Sequence, residues 1–325
     1  MKRSNLLKII ALVLIIIVSF TTVYFWQTNP KPRLIIATTT STVDTGLLDY
    51  LKPYFDEKFD ADMTWLYLGT GQALSVASRG DADVLLVHDR AREDAFINSR
   101  NGTHRVTVMY NDFIIIGPKE DPACINGLNN ATLAFQRIAK AGELGKTVFV
   151  SRGDGSGTNA LELRVWSNAG ISPKGKSWYL ETGQGMGPTI RIANEEQGYT
   201  ITDRGTWIKL KKEIGGLKLL VEKDNVLLNP YSIIIINPVK YPNINSELAE
   251  KFLLFMISDE GQRLIEKFKI NGEQIFYPIF GKVETIGLPS EQKEVKYWVN
   301  KLIENGMKPP SGIIMDMRDW QDGMT

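Results

Sequence analysis

Leu34-Ile-Ile-Ala-Thr-Thr-Thr-Ser-Thr42 is a short apolar run that stops abruptly at five consecutive hydroxyl side chains. The apolar part has the length and composition of a buried strand, and the hydroxyls mark the turn that ends it. Helical spacing follows at once in Leu47, Leu48, Leu51 and Phe55. The same order recurs downstream. Met63–Leu68 reads as a strand, Gly69-Thr-Gly71 as a turn, and the residues through Arg79 as a helix. Asp83–Val87 and Asn111–Gly117 are further strands. Phe135–Ala141 is helical, Thr147–Val150 is a strand, and Ser151-Arg-Gly-Asp-Gly-Ser-Gly-Thr158 leads into a helix over Ala160–Asn168. Tyr231–Ile236 is a later strand and Leu248–Phe268 a long helical stretch. Alternation of this kind predicts an α/β fold with parallel strands covered by helices.

The strands near Phe113 and Ile233 form a matched pair, each preceded by a turn and closed by a proline, Pro118 and Pro238. They predict two crossings between two lobes: residues 34–115 with 236–281 in the first, and 118–230 in the second. The remainder, 282–325, carries a helical stretch over Glu291–Ile303 and is given no role by its pattern. No internal repeat or low-complexity segment is present.

Across 325 residues, 38 Lys and Arg oppose 37 Asp and Glu, a net charge of +1, with 43 % hydrophobic residues. This balance excludes disorder and bulk attraction to polyanions. The single cysteine, Cys124, excludes an internal disulfide and a thiolate zinc or iron–sulfur site, and His88 and His104 are too few for a histidine metal centre. Residues 1–8 are a basic flank, and Ile9–Trp26 is an apolar run of 18 residues. As a helix it would extend about 27 Å, close to a hydrocarbon core. The run ends without a small-residue cleavage site and no cysteine follows it for lipid attachment, so it reads as an uncleaved anchor with the rest of the chain outside the cytoplasmic membrane. A cleaved leader, which would leave the protein secreted, is the alternative. Residues 27–33 form a proline-containing tether. The triplets Asn101-Gly-Thr103 and Asn130-Ala-Thr132 agree with an exterior location but carry little weight.

The chemistry these turns offer is capture of a small oxyanion. Such a ligand presents acceptors on all sides, so its site needs converging N–H and O–H donors. Thr38, Thr39, Thr40 and Ser41 supply hydroxyls at one strand-to-helix turn, and Thr70 and Gly71 open a second. Ser156, Gly157 and Thr158 form a third, with Arg152 six residues ahead of Thr158 as a forked cation. The bland reading of Thr38–Thr42 is helix capping, and of Ser151–Thr158 an ordinary glycine turn; it is their joint occurrence that favours a ligand. Neither cofactor nor metal is implied, since the anion is held through its own oxygens. Other motifs fail on context: Leu144-Gly-Lys-Thr147 lacks the first glycine of a phosphate loop, and Ser156 does not stand in G-x-S-x-G.

Thr38-Thr-Thr-Ser-Thr-Val-Asp-Thr-Gly46, Gly69-Thr-Gly-Gln72, Gly80-Asp-Ala-Asp-Val84 with His88-Asp89, Tyr110-Asn-Asp-Phe113, Ser151–Thr158 and Tyr199-Thr-Ile-Thr-Asp-Arg-Gly205 occur in this order. Together they resemble the substrate-binding proteins of tungstate ABC importers over roughly residues 34–281. The resemblance implies a type II, two-lobed periplasmic-binding-protein-like fold, each lobe a mixed sheet flanked by helices, with the ligand in the cleft between them. It further implies delivery to a permease driven by an ATPase, and anion contacts from Thr39, Thr40, Ser41 and Arg152, with Ser156, Gly157 and Thr158 as the cradle of the second lobe. The apolar N-terminus and residues 282–325 depart from that pattern. Binding proteins for molybdate, phosphate or sulfate and a membrane-anchored oxyanion sensor are the alternatives; an exported enzyme is least favoured, because no base–nucleophile pair is evident. Whether a protonated anion such as hydrogen phosphate is accepted turns on where Asp44, Asp154 and Asp203 point.

Overall fold

Each hydroxyl or glycine turn sits where a strand hands over to a helix. In this computed structural model, which describes residues 30–313 with Leu14 alone ahead of them, β1 (Arg33–Thr39) runs into one helical turn, α1 (Thr40–Asp44), and then α2 (Leu47–Phe59). The unit repeats as β2 (Asp62–Leu68), α3 (Thr70–Ala77), β3 (Val84–Val87) and α4 (Arg90–Asn98). The long strand β4 (Gly102–Pro118) leads to α5 (Ala131–Glu143), β5 (Phe149–Ser151) and α6 (Gly157–Asn168). Then come β6 (Tyr179–Glu181), α7 (Met186–Glu195), β7 (Thr200–Asp203), α8 (Arg204–Leu210) and β8 (Leu217–Val221). Strand β9 (Leu228–Ile236) returns, followed by α9 (Ser246–Ile257) and α10 (Asp259–Lys267). Three two-residue strands, β10 (Lys269–Ile270), β11 (Glu273–Gln274) and β12 (Tyr277–Pro278), precede α11 (Gln292–Glu304).

The sheets are mixed, as the resemblance implies and against the parallel arrangement that alternation alone predicts. β1 is parallel to β2 and β3, but β9 is antiparallel to both β3 and β4, giving the order β12-β4-β9-β3-β1-β2. The cause is the crossing itself: β4 leaves the first lobe and β9 comes back beside it, with Asn111 opposite Asn229. Beyond that point β4 pairs with β7 and β8. Strand alternation then sorts the core. Ile36, Leu86 and Ile233 face Leu48, Phe55 and Phe252, while Ala37, Leu85 and Ile234 face α3 and α4 on the other side of the same sheet. In the second lobe Phe113 and Ile115 pack with Phe135 and Trp166, and Ile114 and Ile116 with Ile190 and Trp207. The change-over between cores falls between Met109 and Phe113 and between Leu227 and Tyr231, a few residues ahead of the ranges expected from the prolines.

Two elements differ most in extent from expectation. β4 starts at Gly102 rather than Asn111, and the stretch Leu248–Phe268 is two helices. Ser258 divides them: it closes α9 with its hydroxyl on the Phe255 carbonyl (2.7 Å) and opens α10 by accepting from the Gly261 amide (3.1 Å). The C-terminal extension folds back on the first lobe, burying Trp298, Val299 and Leu302 in its core. The expected anchor over 9–26 and its basic flank lie outside the described residues apart from Leu14; among the described residues no helix is long and apolar enough to cross a membrane.

Candidate functional site

A cavity of about 490 Å³ opens between the lobes. The first lobe lines it with Thr39, Asp44 and Tyr67, with Gly69–Gln72 at the start of α3, and with His88 and Arg92 around the start of α4. The second lobe contributes Arg152 and Asp154–Thr158, Gly185 and Met186 at the start of α7, and Asp203 and Thr206 at the start of α8. Phe113 and Asn229 close its floor from the crossing strands. Five of the described helices, α3, α4, α6, α7 and α8, thus begin at one cavity, which gathers amide N–H groups without an intrahelical partner and positive dipole ends.

The predicted residues divide. Thr39, Thr70, Gly71, Arg152, Ser156, Gly157 and Thr158 are brought together. Thr40 and Ser41 are described through their backbone alone, as the first residues of α1; their side chains lie outside the described part. Thr38 is turned away, its hydroxyl donating to the Leu86 carbonyl at 2.8 Å and lying 2.7 Å from that of Thr42. Successive strand residues point to opposite faces, so a run of hydroxyls on β1 cannot all reach one cleft.

The Ser151–Thr158 loop is held by its own groups. Asp154 Oδ2 accepts from Arg152 Nη2 (2.6 Å) and Nε (3.1 Å), Asp154 Oδ1 accepts from the Ser156 amide (3.1 Å), and Arg152 Nη1 donates to Thr158 Oγ1 (3.3 Å). Burial works against the Asp154 charge, but the Ser156 hydroxyl and the Arg152 guanidinium outweigh it and hold the carboxyl below its usual range. Ser156 caps α6, accepting from the Asn159 amide at 3.3 Å. Gly153 and Gly155 carry φ of 59° and 68°, which only glycine adopts freely. A Cβ on Gly157 would lie 3.1 Å from His88 Cε1, so the lobes meet there at backbone distance.

Three carboxylates and two guanidiniums line the cavity, so recognition of an anion cannot rest on net charge. It rests on oriented donors. Each carboxylate is already engaged: Asp44 accepts from the Tyr67 hydroxyl (3.0 and 3.1 Å), Asp154 from Arg152 and Ser156, and Asp203 from the Thr206 amide (2.8 Å) and hydroxyl (2.7 Å). Burial raises the Asp203 carboxyl, against the Thr206 hydrogen bonds and the Arg152 charge that lower it. His88 lies 4.8 Å from the Tyr231 ring; burial brings its pKa down to about 4, so it stands neutral at physiological pH. No cluster able to hold a metal ion occurs among the described residues.

Sequence reasoning missed Tyr67, Arg92, Thr206 and Asn229, and named His88 within a motif without giving it a place in the site. Asp203, Gly185 and Met186 also reach the cavity, whereas Arg204 turns away to Asp112 (2.5 and 2.7 Å) and Glu222 (2.7 Å). The N-cap Asp89 that starts α4 is the signal that places Arg92 at a helix start, whereas β2 has no clean alternation that would single out Tyr67 near its end. A larger cleft of about 710 Å³, between α4 and the extension, is lined by charges that neutralise one another, among them Arg90 with Glu291 (2.9 Å) and Arg105 with Asp94 (2.5 Å).

Comparison with known proteins agrees with this fold. Residues 27–260 match the model of the PBP superfamily domain. The tungstate-binding protein TupA of Peptoclostridium acidaminophilum is 43 % identical over 244 residues, 74 % of this chain and 83 % of that protein. The solved tungstate-binding protein TupA from Desulfovibrio alaskensis G20 is 45 % identical with a TM-score of 0.72, and 77 % of this chain covers 99 % of it. A solved protein titled as the tungstate ABC transporter from Geobacter sulfurreducens is 44 % identical with a TM-score of 0.66, over 74 % of this chain and all of that one.

Proposed function

The chain belongs to the PBP superfamily and, within it, to the family of tungstate-binding proteins, and from that premise we propose that it captures a tetrahedral oxyanion, tungstate foremost, for an ABC importer. One observation carries the reading: hydroxyl and glycine turns from opposite lobes converge on a single cavity with Arg152 at its wall. In this reading Thr39, Thr70 and Gly71, with the backbone of Thr40 and Ser41, receive the anion on the first lobe. Arg152 and Ser156–Thr158 close over it from the second, by a hinge at the crossing strands β4 and β9. Arg152 supplies charge as well as donors, while Asp154 holds its guanidinium in place.

The engaged carboxylates support a fully ionised ligand. Hydrogen phosphate brings a proton that needs an acceptor, and each carboxylate lining the cavity already accepts from a neighbour within its own lobe. The role is that of a binder and donor to a permease and its ATPase, on the outside of the cytoplasmic membrane and tethered by the apolar run at 9–26. Calorimetric titration of the full chain with tungstate, molybdate, sulfate and phosphate in parallel tests this. Saturable one-to-one binding of tungstate with phosphate and sulfate silent is the expected result; binding of phosphate or sulfate alone would overturn the assignment.

A further inference from the structure

Beneath the Arg152 loop lies a buried carboxylate that does not line the cleft. Glu162, on α6, is 1 % exposed, and both its oxygens are filled. Oε1 accepts from the Tyr179 hydroxyl (2.7 Å) and the Trp166 indole N–H (3.1 Å); Oε2 accepts from Ser151 Oγ (2.6 Å) and Asn159 Nδ2 (3.5 Å). The two residues on Oε2 hold the loop backbone. Ser151 Oγ accepts from the Gly153 amide (3.2 Å) and from Asn159 Nδ2 (3.3 Å), and Asn159 Oδ1 accepts from the Gly155 amide (3.1 Å).

We propose that Glu162 is the positioning residue of the oxyanion cradle: acting through Ser151 and Asn159, it fixes the glycine loop in its receptive shape before the anion arrives. The inference rests on the reading of the cleft as an oxyanion site. A loop with glycines at 153 and 155 is free to adopt many shapes when unrestrained, and ordering it on binding would weaken affinity. Glu162 moves that ordering into folding. The rest of its shell is rigid: Trp166 is fully buried and packs against Phe135 and Phe149 at centroid distances of 4.3 and 5.1 Å.

Glu162→Gln isolates the effect at constant size. The indole N–H of Trp166 has no second acceptor, whereas Asn159 Nδ2 keeps Ser151, so the new amide nitrogen faces the loop. Ser151 Oγ then meets three donors with two lone pairs and releases the Gly153 amide. Ser151→Ala removes the same node from the other side, with a smaller change to the core. Both variants are expected to weaken tungstate binding about 10-fold or more, as loss of a supporting shell does elsewhere. In the anion-free chain, hydrogen exchange of the Gly153 and Gly155 amides should accelerate while Val165, within α6, stays protected; a general loss of stability would move all three together. The double variant should cost less than the product of the single effects. Folded variants that bind tungstate within twofold of the parent, or unchanged exchange at Gly153 and Gly155, would overturn the proposal, and Ser151→Ala alone decides it should Glu162→Gln not fold. If the parent itself binds no tungstate, the functional reading falls, and the exchange rates still judge the scaffold.

Discussion

Among the described residues Arg152 is the one guanidinium that the second lobe presents to the cleft, and its carboxylate partner makes its removal doubly costly. Arg152→Ala takes away the guanidinium and leaves Asp154 at the cleft with only Ser156 to compensate. Loss of about 2–4 kcal/mol, roughly 30-fold or more in tungstate affinity, is expected by calorimetry. Gly157→Ala acts differently: the added methyl meets His88 at 3.1 Å across the lobe boundary, so closure is obstructed and affinity falls with little change in melting temperature. A third residue-scale prediction concerns pH. Burial raises the Glu93 carboxyl to about 7 and lowers His88 to about 4. Between about pH 4.5 and 7 the folded state therefore holds a proton on Glu93 that the unfolded chain releases, and stability falls as pH rises. Between about pH 4 and 6.5 the folded state lacks the proton that unfolded His88 binds, and stability rises with pH. The two slopes oppose each other. Glu93→Gln should remove the first, so that its stability relative to the parent climbs between pH 4.5 and 7 by on the order of 3 kcal/mol. Denaturant titrations across that range give the answer, and a pH-independent difference would reject it.

At the scale of elements, the sequence is legible where a local signal and the tertiary outcome agree. The β1–α1 and β5–α6 turns were found because hydroxyls and glycines between an apolar run and a helical spacing have few other uses, and both turns line the cleft. Side chains that reach the cleft from places other than such turns were not found. Tyr67 lies on β2 and Arg92 on α4, and both stay exposed in the structure, so only the position of the opposite lobe makes them part of a cleft wall. The direction of β9 was hidden too, since direction follows from the crossing and not from composition. In Leu248–Phe268 the apolar spacing runs on through Ser258, and the break shows only in the Ser258-Asp-Glu capping signal. The corner is tight, for a Cβ on Gly261 would lie 2.0 Å from the Phe255 carbonyl oxygen. Ser258→Ala removes both hydroxyl bonds that shape it and is expected to cost about 1–2 kcal/mol in stability with tungstate affinity unchanged.

For the whole molecule, the question is what the extension adds to a fold that its solved relatives complete with about three quarters of this chain's length. Glu291 answers it. The residue is 8 % exposed, and its carboxylate accepts from the Thr107 amide (2.9 Å) and hydroxyl (2.9 Å) on β4, while Arg90 of α4 pairs with it at 2.9 Å. The extension therefore supplies a bond that the β4 ladder, bulged between Thr107 and Met109, does not. Its apolar face then covers the first core with Trp298, Val299 and Leu302. Glu291→Ala leaves a buried amide unpaired and strips a partner from Arg90, and a loss of about 2–4 kcal/mol is expected. No described residue of the extension lines the cleft, so affinity should stay. Ligand linkage separates the two effects, because a saturating anion adds RT ln(1 + [L]/Kd) to stability whatever the starting value. Thermal unfolding of the Glu291→Ala chain should begin from a lower midpoint and gain the same free energy from tungstate as the parent. A smaller gain would mean that the extension, by bracing α4, also sets the position of His88 and Arg92 at its cleft end.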